Sequence, residues 1–222
     1  MPTVPLFPLR TVLVPGLVLP LHIFEPRYRL MIRTLSERPE DERGFGIVAL
    51  RPGATEADGL AGVYGLGTMA RITQVDELPD GRYDVLTVGA RRFSIDSLDH
   101  GLPYTQARVS MHTEPIGDAQ RTAALAQEAV GLLRTYRAVI AGWGVIQMAQ
   151  IEHLPEDPVV LSYLIASAIV TDLPQRQRIL GIAEAEARLA EVCDVLRREI
   201  QVMGALPSMP AVDLAGARLW AN

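Results

Sequence analysis

Met69-Ala70-Arg71-Ile72-Thr73-Gln74-Val75 and Tyr83-Asp84-Val85-Leu86-Thr87-Val88 flank Leu78-Pro79-Asp80-Gly81. Proline pre-sets φ early in a turn and glycine supplies a positive φ, so the two runs are predicted to pair as a hairpin. It is the strongest hairpin signal in the chain. Outward from it lie other short runs of strand type, at residues 93–95 and 104–111. Residues 45–50 form a continuous apolar run, as expected of a strand covered on both faces. Nearer the start, residues 12–14 and 17–21 meet at Pro15-Gly16, a turn dipeptide. One helix interrupts these runs. Pro26 suits a first helical position, and Tyr28, Met31, Ile32 and Leu35 recur at i, i+3, i+4 and i+7. Residues 51–59 read as an exposed, mobile loop. Six or so short strands with one inserted helix imply a small closed or nearly closed barrel.

Beyond Gly117 the hydrophobic period becomes helical. Asp118 is a good N-cap for a helix to about residue 141, where Gly142-Trp143-Gly144 breaks the pattern. Asp157-Pro158 opens a second helix to residue 170, and Pro174 opens a short third. A last helix covers residues 183–203, roughly 30 Å at 1.5 Å per residue, with Gly204 as its C-cap. Leu189, Val192, Leu196, Ile200 and Met203 form its apolar face, with Arg188, Glu191, Arg197, Arg198 and Glu199 turned away. Residues 207–222, rich in proline and alanine, read as a poorly ordered tail unless Trp220 docks. The fold class is therefore α+β, with a β subdomain at 1–115, a helical subdomain at 116–206 and a tail at 207–222.

Composition removes several chemistries. All 21 residues counted as Lys+Arg are arginine. Without lysine there is no Walker A ammonium, no Schiff base and no Ser–Lys dyad. The net charge of −5 argues against a surface built for nucleic-acid phosphates. Cys193 is the single cysteine, which excludes an internal disulfide and a thiolate metal cluster. The N-terminus carries no basic region ahead of its apolar run and is broken by prolines, so a cytoplasmic protein is expected.

Residue by residue, no catalytic constellation emerges, and neither a metal nor a cofactor is expected. The histidines are scattered, and His22 with Glu25 reads as structure beside a helix start rather than as a metal pair. Gly65-Leu66-Gly67 precedes a strand rather than a helix, which fits close backbone approach and not a dinucleotide turn. Asp76-Glu77 reads as a solvated hairpin end. Arg91-Arg92 beside Phe93 raises RNA binding as the alternative; its plain counter-reading is ion pairing with a nearby aspartate.

Three stretches together resemble the N-terminal substrate-binding domain of Lon proteases, also similar to the Lon-like part of cereblon. The first is Pro5-Leu6-Phe7-Pro8-Leu9 followed by Pro15-Gly16-Leu17-Val18-Leu19-Pro20-Leu21-His22-Ile23-Phe24-Glu25-Pro26-Arg27-Tyr28. The second runs through Gly65-Leu66-Gly67-Thr68 and Asp80-Gly81-Arg82-Tyr83 to Val88-Gly89-Ala90-Arg91-Arg92-Phe93. The third comprises Asp157-Pro158, Gln177-Arg178-Ile179-Leu180 and the last amphipathic helix. The resemblance implies a PUA-like β-pseudobarrel followed by a helical bundle. It implies binding of unfolded or tagged polypeptide and transfers no catalytic residue; an adaptor that delivers clients to a separate ATPase or protease is the reading that fits it. Where full-length Lon would continue into its ATPase, this sequence stops. The junction of barrel and helices is the expected binding place, with Leu21, Phe24, Tyr64 and Met69 meeting the peptide and Arg92 holding a carboxylate or carbonyl.

Overall fold

The Pro79–Gly81 turn forms, but on much longer strands than the apolar runs suggest. The computed structural model describes residues 1–142 and 154–205. Gly81 takes φ 76, its N–H donates to the Leu78 carbonyl, and Leu78 N–H donates to Arg82, both at 2.8 Å. The flanking strands are β4 (Leu66–Glu77) and β5 (Tyr83–Asp99). The remaining strands are β1 (Thr3–Leu9), β2 (Val18–Ile23), β3 (Gly44–Ala49) and β6 (Gln106–Met111). The helices are α1 (Pro26–Ser36), a single turn α2 (Gly59–Gly62), α3 (Ala119–Gly142), α4 (Pro158–Ala168), α5 (Leu173–Gly181) and α6 (Ala185–Ala205). The architecture is mixed α+β.

The sheet runs β2-β5-β4-β3-β1-β6, and β5 also pairs with β6. Five strands therefore close on themselves and β2 hangs outside the ring. β5 does this by length: residues 83–88 lie between β4 and β2, and residues 93–99 pair with β6. Register shifts near Ala70, Gln74 and Ser97 bend the two long strands, as bulges do.

The first residues depart from the sequence reading at an unassigned stretch and at one expected strand. Residues 3–9 form β1, parallel to β3 and antiparallel to β6. Pro5 and Pro8 hid it, because proline cannot donate to a ladder. Residues 12–14 are buried but form no strand; Leu13 instead gives its carbonyl to the Thr68 hydroxyl at 2.7 Å. Residues 51–59 also differ from a free loop. Thr55 and Asp58 cap one another across a 3₁₀ turn, and Glu56 takes the Tyr28 hydroxyl at 2.9 Å and Arg27 at 2.7 Å.

The cores follow the period of the sequence. Tyr28, Met31, Ile32 and Leu35 of α1 pack with Phe45, Ile72, Tyr83 and Val85 of the strands. The helices share a second core of Leu133, Tyr136, Leu161, Ile165, Ile179, Leu189, Val192 and Leu196. Asp118, Asp157 and Asp172 each accept a backbone N–H at 2.8 Å at a helix start. Gly204 lies within α6 rather than capping it. One residue of α6 departs from the reading of its faces: Arg188 is fully buried. The Trp143-Gly144 break, His153 and the tail at 207–222 lie outside the described residues.

Candidate functional site

The junction between barrel and helices is closed by packing. Val12, Val14 and Ala49 meet Tyr163 and Leu180, with Tyr64, Leu66, Val159 and Leu173 packed around them. Gln177 donates across it to the Leu66 carbonyl at 2.9 Å. Tyr64 is half-buried there, with the Arg51 guanidinium 4.6 Å from its ring centre.

Arg92 belongs to this junction and is 3% exposed. Its five N–H donors are all used. Nε donates to Glu114 at 2.6 Å, Nη1 to the carbonyls of Leu180 and Ile182, and Nη2 to those of Thr113 and Ala183. No donor is left for a peptide carboxylate, so this expectation is corrected, and the partner is Glu114 rather than an aspartate. The Arg91-Arg92 pair is therefore no basic patch. Arg188 joins the same cluster. It donates to the Ser162 hydroxyl at 2.7 Å and the Ile182 carbonyl at 2.7 Å, and its guanidinium lies 3.6 Å from the Tyr163 ring centre. Burial pulls its pKa down. Glu114 completes the group by accepting the Tyr163 hydroxyl at 2.9 Å.

The five residues singled out from the sequence do not converge. Met69 packs with Val4, Leu6, Val48 and Phe93 at another part of the barrel. Leu21 and Phe24 do lie together, on and just after β2. Leu21 packs on the barrel core, whereas Phe24 is 60% exposed and stacks beside the His22 ring. Among the described residues β2 pairs only with β5, which leaves its other edge free. Gly89 N–H donates to the Leu17 carbonyl at 2.9 Å, so by alternation Leu19, Leu21 and Ile23 bond to β5. Val18, Pro20 and His22 then face their backbone groups outward, where a proline is tolerated. A shallow hollow of about 370 Å³ lies across β2, β5 and β4, lined by Pro20, Leu21, His22, Gln74, Asp76 and Leu86 among others.

A larger hollow, of about 600 Å³, went unread in the sequence. It lies where β3 leaves β4. Ile72 N–H still donates to the Arg43 carbonyl at 2.9 Å, but among the described residues no strand pairs with β4 beyond it on that side. Arg33, Arg43, Arg71, Glu37, Glu40 and Glu77 line the hollow. The available signal was a difference in strand length, since the apolar run of β3 ends well before β4 does.

The remaining chemistry is structural. Cys193 is fully buried and its thiol is pushed up to about 11 by burial, which disfavours the reactive thiolate. His22 pairs with Asp84 at 2.7 Å. A Cβ on Gly67 would run into the Ile47 carbonyl and the Phe93 ring, so Gly67 marks close approach, whereas one on Gly65 would meet open space. Among the described residues no group of three or more His, Cys, Asp or Glu is placed to hold a metal ion, and no helix is long and apolar enough to cross a membrane.

Comparison with known proteins agrees with this architecture. The fold is similar to the Lon N-terminal domain protein from Xanthomonas campestris, with a TM-score of 0.60 over 87% of this chain and 98% of that one at 20% identity. It is equally similar to the N-terminal domain of Mycobacterium avium complex Lon protease, with TM-score 0.60, 20% identity and coverage of 88% and 98%. In sequence the chain is 27% identical to the Lon protease of Azospirillum brasilense over 90% of its own length and 24% of that protein. The chain thus spans about a quarter of the length of the curated relatives it matches. The family model for the ATP-dependent protease La (Lon) substrate-binding domain matches residues 3–198, and the chain belongs to that family.

Proposed function

We propose that the chain is a non-catalytic polypeptide-recognition module that engages unfolded or tagged clients. Family membership over residues 3–198 is the observation that carries this reading. We read residues 1–115 as a PUA-like β-pseudobarrel and residues 116–206 as a helical bundle that braces it. In this reading the module works in the cytoplasm as an adaptor, passing clients to a separate ATPase or protease.

The β2 edge and the Leu21–Phe24 corner are the contact region in this proposal. An extended chain adds to a free edge through its backbone, and neighbouring apolar side chains supply affinity. Phe24 is suited to that role, being aromatic and largely exposed beside the edge. The test is binding of reduced, carboxymethylated α-lactalbumin, followed by fluorescence anisotropy. Phe24→Ala is expected to weaken binding about tenfold, as loss of an interface anchor does, with the melting temperature unchanged. Equal affinity in wild type and variant would remove the corner from the proposal. Absence of binding to any unfolded client would remove the function itself.

A further inference from the structure

The hollow beside β4 is polar along its length. Arg71 pairs in register with Gly44, so Arg71 and Arg43 mark the end where β3 departs. Glu77 pairs with Tyr83 at the hairpin end, where Arg33 lies near Tyr83, Glu77 and Glu37, which together raise its pKa. Among the described residues none of Arg33, Arg43, Arg71, Glu37, Glu40 and Glu77 takes part in an ion pair, whereas eight other arginines do. This hollow thus gathers charges of both signs that take part in no ion pair, with Arg43 and Arg71 beside Glu40 toward one end and Glu37 and Glu77 beside Arg33 toward the other.

The strand that borders it has unused backbone groups. On β5, Tyr83, Val85 and Thr87 bond toward β2, which leaves Asp84 and Leu86 to bond to Asp76 and Gln74 of β4. Val75 and Glu77 of β4 therefore turn their N–H and carbonyl groups into the hollow. From Arg71 to Glu77 a strand spans about 20 Å at roughly 3.3 Å per residue, room for an extended segment of similar length.

We propose that this groove binds an extended polypeptide as an added strand on β4, with a basic side chain toward the segment's N-terminal end and a carboxylate at its C-terminal end. The order follows from the ladder. A segment continuing the place of β3 runs antiparallel to β4, so it starts beside Glu77 and Glu37 and finishes beside Arg71 and Arg43. The carboxylate is an acidic side chain or a free chain terminus, which present the same chemistry. A polyanion such as nucleic acid is disfavoured by the three glutamates. The inference rests on the reading of the chain as a polypeptide binder, and it assigns that binder a second, charge-sorted contact apart from the Phe24 corner.

The experiment uses the 222-residue chain and short fluorescent peptides with a Thr-Val-Thr-Val centre. One begins Lys-Lys and ends Glu-Glu with an amidated terminus; a second reverses the charged ends. A third begins Lys-Lys and ends at the centre with a free carboxylate. The first is expected to bind at least about tenfold more tightly than the second, since the wrong order sets like charges together, and the preference shrinks as salt screens it. Arg71→Glu is expected to abolish the preference, with the circular-dichroism spectrum unchanged, and Phe24→Ala to leave it intact. Binding of the third peptide as tightly as the first assigns the site to chain termini; binding only of the first assigns it to acidic side chains. Equal binding of the first and second overturns the inference. If they are equal while unfolded α-lactalbumin still binds, only this groove is lost; if neither the peptides nor the unfolded client binds, the polypeptide reading falls with it.

Discussion

Arg92 and Arg71 stand on neighbouring strands of one sheet and meet opposite fates. Arg92 is interior with every donor used, while Arg71 is exposed beside an open groove. The difference lies in what each strand abuts. The half of β5 carrying Arg92 faces the end of α5, where carbonyls of Leu180, Ile182 and Ala183 have run out of helical partners. Those carbonyls and Glu114 make burial of the charge tolerable. β4 near Arg71 abuts only the place where β3 ends. An arginine is thus structural or available according to the backbone groups that surround it, not according to its neighbours in sequence.

The sharpest way to break this contrast is Glu114→Ala. It leaves Arg92 and Arg188 buried without their carboxylate, and a loss of about 3–5 kcal/mol in urea unfolding is expected, as for a buried pair stripped of one partner. A loss under about 1 kcal/mol would show that the carbonyls alone satisfy the cluster. Leu196→Ala probes the apolar side of the same helical half. Leu196 is fully buried, and about 2–5 kcal/mol is expected from transfer plus cavity.

Alkali should strike the closed regions next. Burial and hydrogen bonding to Glu56 hold the Tyr28 phenol above its ordinary pKa, and burial does the same at Tyr163. The neutral form is favoured in the fold, so this stability is intact below about pH 10 and is lost as pH rises beyond it. Unfolding midpoints and phenolate absorbance measured together would show it; normal titration of both phenols in the folded protein would contradict it. On the open side, Phe24→Ala and Arg71→Ala should each shift stability by less than about 0.5 kcal/mol, as exposed substitutions do. A larger loss would mean that the edge or groove is already occupied from within.

Much of the fold was legible before any coordinates. Pro26 with the Tyr28–Leu35 period located α1, Asp118 and Asp157 located two further helix starts, and Pro174 located a third. β1 was not, since prolines occupy two of its positions. Arg188 was assigned to the outer face of α6, although the buried face is wide enough to include it beside Ala185, Val192 and Val195. Periodicity scores an arginine as polar wherever it stands, and its partners Ser162 and Glu114 are distant in sequence. Of the five residues singled out from the sequence, two share one place in the fold. Leu21 and Phe24 do lie together at one corner, but Met69 packs inside the barrel itself, and Tyr64 and Arg92 are drawn into packing that depends on how α4 and α5 seat on it. The charged groove left no compositional trace, because it arises from one strand outlasting another.

The pairing of β1 has a consequence for assembly. Val4 sits against Ala107, so the ring closes only between the two ends of the first half of the chain. During synthesis the β1 segment emerges before β6 and must wait for it before its second edge is satisfied. Contacts so distant in sequence slow folding, and unpaired strands meanwhile invite the wrong neighbour. Pro5 and Pro8, which disguise the strand in the sequence, also make it a poor template for such pairing. The residues that obscure β1 to a reader thereby keep the newborn chain from aggregating while its partner is still being made.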